Sequence, residues 1–313
     1  MGNELTIVVY HYVRDRKTSR FPAINALELE AFRKQLRYFL KNYHVISLKN
    51  LIDALEGESQ LPPDALLLTF NDNYSDHYRN VFPELLKHSV SGAFFPEIQP
   101  LKERKVVLNH KIHHILAGAD NVSLLVQDIL KYLKQFREEF NLMDGSYYQQ
   151  EFMVPSSYDS AEVAFVKRLL QIGLDFHLAH RITDILLDRY CDVSQKVLHQ
   201  EIYMNDDQIR CMIRNGMDFG MIGHSHKRLS DLNSDQLEYE IAASKEHILE
   251  LGQDPSYISM SYPWGETNES VVAALIRAGC KVAFTSEQRI ADIQSDDKYR
   301  LPRFDTNHFL KLV

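Results

Sequence analysis

The pattern of apolar and polar positions divides the first hundred residues into alternating strands and helices. Residues 5–10 are nearly all apolar, which is typical of a strand buried on both faces, and residues 66–69 and 92–96 form similar short runs. Between these runs, residues 29–41 and 78–88 each place apolar side chains on one face of a helix. Repeated strand–helix units predict an α/β fold with a parallel sheet or barrel.

The pattern changes between about residues 101 and 200. Strand signals disappear there, and long helical periodicities occupy residues 122–140 and 160–190. Because the strand–helix alternation then resumes, we predict a single domain over residues 1–313 with a helical insertion at about 101–200. Beyond the insertion, the pattern predicts three strands and two helices, in the order strand 217–222, helix 234–251, strand 257–261, helix 269–278 and strand 281–285.

Polar and aromatic residues follow four of the predicted strands, namely His11, Asn71-Asp72, His224 with His226, and Pro263-Trp264-Gly265. Parallel strands end at one rim of a sheet or barrel, where α/β proteins place their sites. One carboxylate with two imidazoles suits a hydrolytic metal site. The alternatives are structural: Asp72 as a helix N-cap, the histidines as hydrogen-bonding groups at a strand end, and Trp264 as a buried aromatic.

Composition excludes several other classes of protein. The formal net charge of -8 comes from well-mixed charges, which argues against a nucleic-acid partner. Cys191, Cys211 and Cys280 are odd in number and form no Cys-x-x-Cys, so buried free thiols are expected. No apolar run reaches the roughly 18 residues of a membrane span, and no export signal is evident. We therefore expect no transmembrane segment and a cytoplasmic location.

Several segments together resemble a known family. TFNDNYSDHYRNVFPELLKHSVSGAFF and SYPWGETNESVVAALIRAGCKVAFT are similar to motifs of the polysaccharide deacetylases, the NodB-homology carbohydrate esterases. YHYV near the start and RLPRFDTN near the end resemble the circularly permuted branch of that family. The resemblance covers most of residues 5–100 and 215–307. It implies an α/β fold, a distorted (β/α) barrel of the polysaccharide deacetylase type, with the helical insertion added.

The resemblance also implies roles, and the chain departs from two of them. Asp72 matches the metal-binding Asp of the family's TFDDG motif, whereas Asn71 stands where the general base is expected. A neutral amide cannot accept a proton. The family's second motif places two histidines four residues apart, but here Arg228 follows His224 at that spacing, and His226 offers a different geometry.

Other residues take expected roles from the same resemblance. His11 is the expected general acid, and the backbone N–H near Trp264 is expected to stabilise the oxyanion. Arg303 and Asp305 are expected to line the site. The missing base would be replaced by Asp305, by Asp76 or by a histidine, although Asp76 is also expected to face solvent or to cap a helix.

Two functions follow. The first is a metal-dependent N-deacylase, a deacetylase or deformylase that acts on an amino sugar in surface-glycan biosynthesis. Asp72 with His224, His226 or both would bind a divalent metal, with zinc expected. The alternative is a catalytically degenerate, deacetylase-like protein that binds a glycan precursor or a protein partner. Asn71 and the altered histidine spacing favour the second function, whereas the retention of so many site-like groups favours the first.

Overall fold

The structure, a computed structural model, describes residues 3–156 and 159–312. These residues form two compact units. The first contains residues 3–15, 26–104 and 200–312, and the second contains residues 16–25, 105–156 and 159–199. The single-domain organisation stays a prediction, but the helical character expected between about 101 and 200 is seen directly in the second unit.

The strands of the described residues all lie in the first unit. They are β1 (Glu4–Tyr10), β2 (Val13–Arg14), β3 (Leu27–Glu28), β4 (His44–Ile46), β5 (Ala65–Asn71), β6 (Ala93–Phe95), β7 (Asp218–Phe219), β8 (Ser259–Ser261), β9 (Val282–Phe284), β10 (Ala291–Asp292) and β11 (Phe304–Asp305).

The helices alternate with these strands along the chain, and helices also form the second unit. They are α1 (Leu29–Asn42), α2 (Leu48–Leu55), α3 (Phe82–Lys87), α4 (Gln99–Glu103), α5 (Leu108–Gly118), α6 (Val122–Gln135), α7 (Gly145–Phe152), α8 (Ala161–Arg168), α9 (Phe176–Tyr190), α10 (Gln195–Ile202), α11 (Asp206–Arg214), α12 (Ser234–Glu250) and α13 (Glu269–Arg277).

Strand pairing closes the first unit into a ring. In the central sheet, β1, β5, β6 and β7 are neighbours and run parallel, with β4 on β5 and an antiparallel β10 on β1. Met221, just after β7, pairs with Met260 of β8, and β8 pairs with β9. Phe284 of β9 then pairs with Leu301, and β11 returns to β1. The predicted distorted (β/α) barrel is confirmed.

A row of stacked aromatic rings crosses the sheet on one face. Tyr10, Phe70, Phe94 and Phe219 occupy successive paired positions of β1, β5, β6 and β7, and all are fully buried. Their ring centroids lie 5.1, 4.6 and 5.4 Å apart in that order. A shift of one residue in any strand would turn its ring to the opposite face, so this row stabilises the register that aligns the strand ends.

Two predicted helices have different boundaries from those expected. The segment predicted at 78–88 begins as a π-helical turn at His77–Val81 and continues as α3, where Pro83 lies in the first turn. Proline has no N–H to donate, so it suits a helix start better than a helix interior. The segment predicted at 160–190 is divided into α8, a π-helical turn and α9, whose start Asp175 caps through its side chain.

The expectation of buried free thiols agrees with the structure at two of the three cysteines, since Cys211 is only half-buried. All three cysteines are free thiols, and Cys191 and Cys280 are buried. Within residues 3–156 and 159–312, no helix combines the length and the apolar character needed to cross a bilayer.

Candidate active site

Four neighbouring strands each deliver one polar side chain to the same rim of the barrel. His11 follows β1, Asp72 follows β5, Glu97 lies two residues after β6, and His226 lies beyond β7. Because these strands are parallel and hydrogen-bonded in that order, their carboxyl ends lie side by side. The site is therefore a direct product of the strand register.

Asp72 lies between two imidazoles. Its Oδ2 is 2.9 Å from Nδ1 of His11, and its Oδ1 is 3.3 Å from Nε2 of His226. The carboxylate is 3% exposed, and the residue has a φ of 73°, which is uncommon for a residue other than glycine. Since the carboxylate faces these rings and Asp76 is the N-cap of the following turn, the helix-capping alternative for Asp72 is wrong.

Glu97 is a site residue that the sequence analysis missed. It is fully buried, its Oε2 accepts a 2.9 Å hydrogen bond from the Asn73 backbone N–H, and its Oε1 is 4.0 Å from His226 Nε2. Burial, followed by the negative charge of Asp72, raises the pKa of the Glu97 carboxyl well above its usual value. The position of Glu97 just after the predicted strand 92–96 is the sequence feature that could have indicated it as a site residue.

The structure separates the two histidines of the 223–226 turn. His226 has a φ of 58° and points its ring at Asp72, whereas the His224 ring contacts Glu103, with 3.1 Å between Nε2 and Oε1. The backbone carbonyl of His224 accepts hydrogen bonds from the first N–H groups around α4, at Ile98 and Gln99. His226, and not His224, therefore shares the Asp72 rim.

A buried carboxylate on α12 holds that turn in place. Glu240 is 3% exposed, and its Oε2 accepts hydrogen bonds of 2.7 and 2.8 Å from the backbone N–H groups of His224 and Ser225. Ser225 Oγ donates to its other oxygen. Gly223 precedes the turn with a φ of 95°, in the region that favours glycine. Glu240 is a positioning residue, and nothing in the linear pattern of an amphipathic helix distinguishes it.

Asn71 and Arg303 form a buried polar cluster beside Asp72. The Asn71 amide oxygen accepts from Arg303 Nη1 at 3.1 Å and from Ser261 Oγ at 2.9 Å. Arg303 also donates to Ser261 Oγ and to the Thr285 carbonyl. Burial lowers the pKa of Arg303 to about 9. Arg303 thus lies beside Asn71, and the Asn71 amide oxygen is already occupied by two donors.

Trp264 and Arg228 lie together next to the His226 turn. Trp264 has a φ of 65°, and its indole N–H donates to the His226 carbonyl at 3.4 Å. The Arg228 guanidinium lies 5.5 Å from the Trp264 ring centroid, and its Nε is 3.3 Å from Glu266 Oε2. Arg228, which follows His224 at the spacing expected for the second histidine, therefore packs on Trp264 and pairs with Glu266. The oxyanion role of the Trp264 N–H stays a prediction.

Asp76 and Asp305, the two carboxylates considered as replacement bases, have different environments. Asp76 is buried and accepts hydrogen bonds from the Val13 backbone N–H at 3.1 Å and from Arg14 Nε at 2.8 Å. Asp76 therefore does not face solvent. It stands at the N-cap position of the His77–Val81 turn, but its side chain makes no capping hydrogen bond there. Asp305 lies on β11 opposite Val9 of β1, which is two residues before His11.

The protonation of His11 is controlled by its neighbours. Burial lowers the pKa of His11, but the hydrogen bond and the charge of Asp72, with a further contribution from Asp305, outweigh this effect and raise it overall. The side chain is 46% exposed, so water screens these interactions. A raised pKa keeps more of the imidazole protonated at neutral pH, as a proton donor requires.

Sequence and fold comparisons agree with this architecture. A family model described as polysaccharide deacetylase matches residues 177–283, and the whole fold is similar to solved deacetylase structures. Residues 177–283 are therefore similar to a polysaccharide deacetylase domain. This confirms the resemblance, and the model match overlaps the later motif region while leaving the Asp72 segment outside it.

Three solved structures show how far the similarity of the fold extends. The Streptococcus pyogenes deacetylase PplD has a TM-score of 0.59 at 16% identity, covering 96% of this chain and 92% of that chain. BpsB from Bordetella bronchiseptica has a TM-score of 0.58 at 15% identity, covering 97% and 96%. IcaB from Ammonifex degensii has a TM-score of 0.57 at 15% identity, covering 99% and 95%. These identities establish the fold alone.

A curated relative is similar over a shorter segment. The poly-beta-1,6-N-acetyl-D-glucosamine N-deacetylase of Escherichia coli strain K12 is 32% identical over 85 residues, which is 26% of this chain. The protein of the same name from strain O157:H7 matches equally. The match spans 12% of the length of each of these relatives.

Proposed function

We propose that this chain removes an N-acyl group from an amino sugar of a glycan or glycan precursor with the help of a divalent metal. The observation that carries the proposal is the Asp72 carboxylate placed between His11 and His226 at the barrel rim. The names of its relatives support it, since they include an N-deacetylase of a poly-N-acetylglucosamine. Zinc is the metal expected first.

The side chains at the rim fit a metal ion. Bonds of about 2.0–2.2 Å in a tetrahedral zinc site place two ligand atoms roughly 3.3–3.6 Å apart. Asp72 Oδ1 and His226 Nε2 lie 3.3 Å apart, and carboxylate and imidazole are ordinary zinc ligands. A divalent cation bound there would polarise the amide carbonyl and make water a stronger acid.

His11 supplies the proton that the leaving group needs. In amide hydrolysis, water adds to the carbonyl carbon, the C–N bond breaks, and the nitrogen leaves as an amine after taking up a proton. Protonated His11 donates through one ring nitrogen to Asp72, which orients the ring, and its exposed portion faces the solvent side of the site. Asp72 therefore both orients the imidazole and favours its charged form.

The proton of the attacking water must go to a group other than Asn71. Asp76 is held by Arg14, so we assign this role to Asp305, whose charge already acts on His11. The strand register supports this assignment because Asp305 pairs with Val9 near the end of β1. Replacing Asp305 by Asn would then lower kcat by about 10²–10⁴-fold, the usual contribution of a general base.

One observation favours the second function, a degenerate site that binds a glycan without hydrolysing it. The Asn71 amide oxygen accepts hydrogen bonds from both Arg303 and Ser261. Such a cluster stabilises the barrel rim whether or not any chemistry takes place there.

Amine release from N-acetyl- and N-formyl-glucosamine oligomers and sugar nucleotides would separate the two functions. We expect the metal-loaded protein to release amine, with losses above about 10²-fold for Asp72→Asn and for His11→Gln. His224→Ala is the matched control, since its ring contacts Glu103, and it should retain most of the activity. Sugar binding without amine release would contradict the deacylase proposal and support the degenerate site.

A further inference from the structure

Glu97 lies where the site needs another metal ligand. The family's second histidine is replaced by Arg228, which packs on Trp264 and pairs with Glu266. We propose that Glu97 binds the metal in place of that histidine, so that two carboxylates and one imidazole hold the ion. This inference depends on the metal dependence proposed above, but it concerns which residues bind the ion.

The backbone orients Glu97 toward the other two ligands. The Asn73 N–H holds Oε2 at 2.9 Å, and the second oxygen, Oε1, lies 4.0 Å from His226 Nε2. A carboxylate oxygen of Glu97 also lies within 4.8 Å of one of Asp72. Asp72 and Glu97 follow the neighbouring strands β5 and β6, so strand pairing itself sets their separation.

Charge gives an independent reason for a cation at this position. Asp72 is 3% exposed and Glu97 is fully buried, so ionising both carboxylates would create a repulsion that water screens only weakly. A divalent cation bound by both carboxylates would relieve this repulsion. The positive charge of Arg228, which could have replaced the cation, is directed instead at Glu266.

The proposed ligand set should change the choice of metal. Carboxylates suit hard cations such as Mn²⁺, whereas imidazoles suit Zn²⁺. Exchanging one histidine for Glu97 should therefore narrow the preference for Zn²⁺ over Mn²⁺. Restoring a histidine with Glu97→His should widen this preference again.

Binding of Zn²⁺ and Mn²⁺ to the purified chain of residues 1–313 provides the test, measured by competition with a chromophoric chelator and by the thermal shift of the protein. Glu97→Gln is nearly isosteric and keeps an oxygen for the Asn73 N–H. We expect it to weaken metal binding by more than about 100-fold, beyond the 10–100-fold typical of residues that only support a ligand. Without metal, its Tm should be equal or higher, because an amide cannot ionise beside Asp72.

The matched control is Glu103→Gln. Glu103 lies on α4 and its carboxylate contacts His224, so its removal should leave the metal affinity unchanged. Wild-type affinity in Glu97→Gln would overturn the role of Glu97 and leave the proposed function standing. A wild-type protein that binds neither metal would overturn both. If Glu97→Gln does not fold, the Zn²⁺-to-Mn²⁺ affinity ratio of Glu97→His decides, and an unchanged ratio would overturn the inference.

Discussion

Asn71 illustrates how a single side chain can keep its structural contacts while losing a chemical role. Its amide oxygen receives the hydrogen bonds that a carboxylate would accept from Arg303 and Ser261. Within the described residues, every hydrogen-bond acceptor of the buried Arg303 guanidinium is neutral, including the oxygens of Thr69 and Thr285. The guanidinium consequently lacks a directly bonded anion, and burial depresses its pKa.

The substitution Asn71→Asp should therefore supply the Arg303 guanidinium with a directly bonded anion. We expect the free energy of unfolding to rise by about 1–3 kcal/mol, since hydrogen bonds to charged groups are stronger than neutral ones. The rate of amine release should also rise, because a carboxylate can accept a proton. Denaturant titration and the amine assay measure the two effects.

Asn71→Ala is the matched control for that substitution. It removes the acceptor for Arg303 without adding a charge, and it should destabilise the protein. If Asn71→Asp were no more stable than wild type and no more active, the account of the Arg303 cluster would be wrong.

At the scale of elements, strand register determines where the site residues lie. His11, Asp72, Glu97 and His226 are separated by up to 215 residues in the chain, yet each follows one of four adjacent strands. The stacked rings of Tyr10, Phe70, Phe94 and Phe219 cross the same four strands. Packing on one face of the sheet is thereby coupled to the geometry of the rim.

Truncation of a ring inside this row should be costly. Phe94 is fully buried and stacks on both Phe70 and Phe219. We expect Phe94→Ala to lower the free energy of unfolding by about 3–5 kcal/mol, through lost burial and the cavity that remains. Ile276→Ala on α13, where the side chain is 52% exposed, should change it by less than about 0.5 kcal/mol. Equal effects would contradict a structural role for the row.

At the scale of the whole molecule, the buried His77 and the half-buried Asp218 make opposite contributions to acid stability. Burial lowers the pKa of His77 to about 4, and burial raises the pKa of Asp218 to about 6. Between about pH 6.5 and 4 the unfolded chain binds the extra proton at His77, so stability falls as the pH falls. Between about pH 6 and 4 the folded chain binds the extra proton at Asp218, so stability rises as the pH falls.

Variants should separate these two contributions, each at most about 3–3.5 kcal/mol. His77→Gln should make the protein less sensitive to acid over pH 6.5–4, whereas Asp218→Asn should make it more sensitive. The denaturant midpoint measured across that range tests both signs. The same slope in both variants would show that other groups control the pH dependence.

The sequence by itself determined the barrel class, most of its strands and helices, and the positions of Asp72 and His11 at strand ends. It could do so because apolar periodicity and strand–helix order are local patterns. The cytoplasmic location and the lack of a nucleic-acid partner remain predictions of the same kind.

Only the tertiary structure decided which histidine faces Asp72, that Arg14 binds Asp76, and that Glu97 and Glu240 belong to the site and its support. These facts depend on backbone turns with positive φ and on the pairing of strands distant in sequence. The direction of a side chain at a strand end depends on its neighbours in space, which the linear pattern does not specify. The contacts among the side chains at the barrel rim are therefore decided by the tertiary structure.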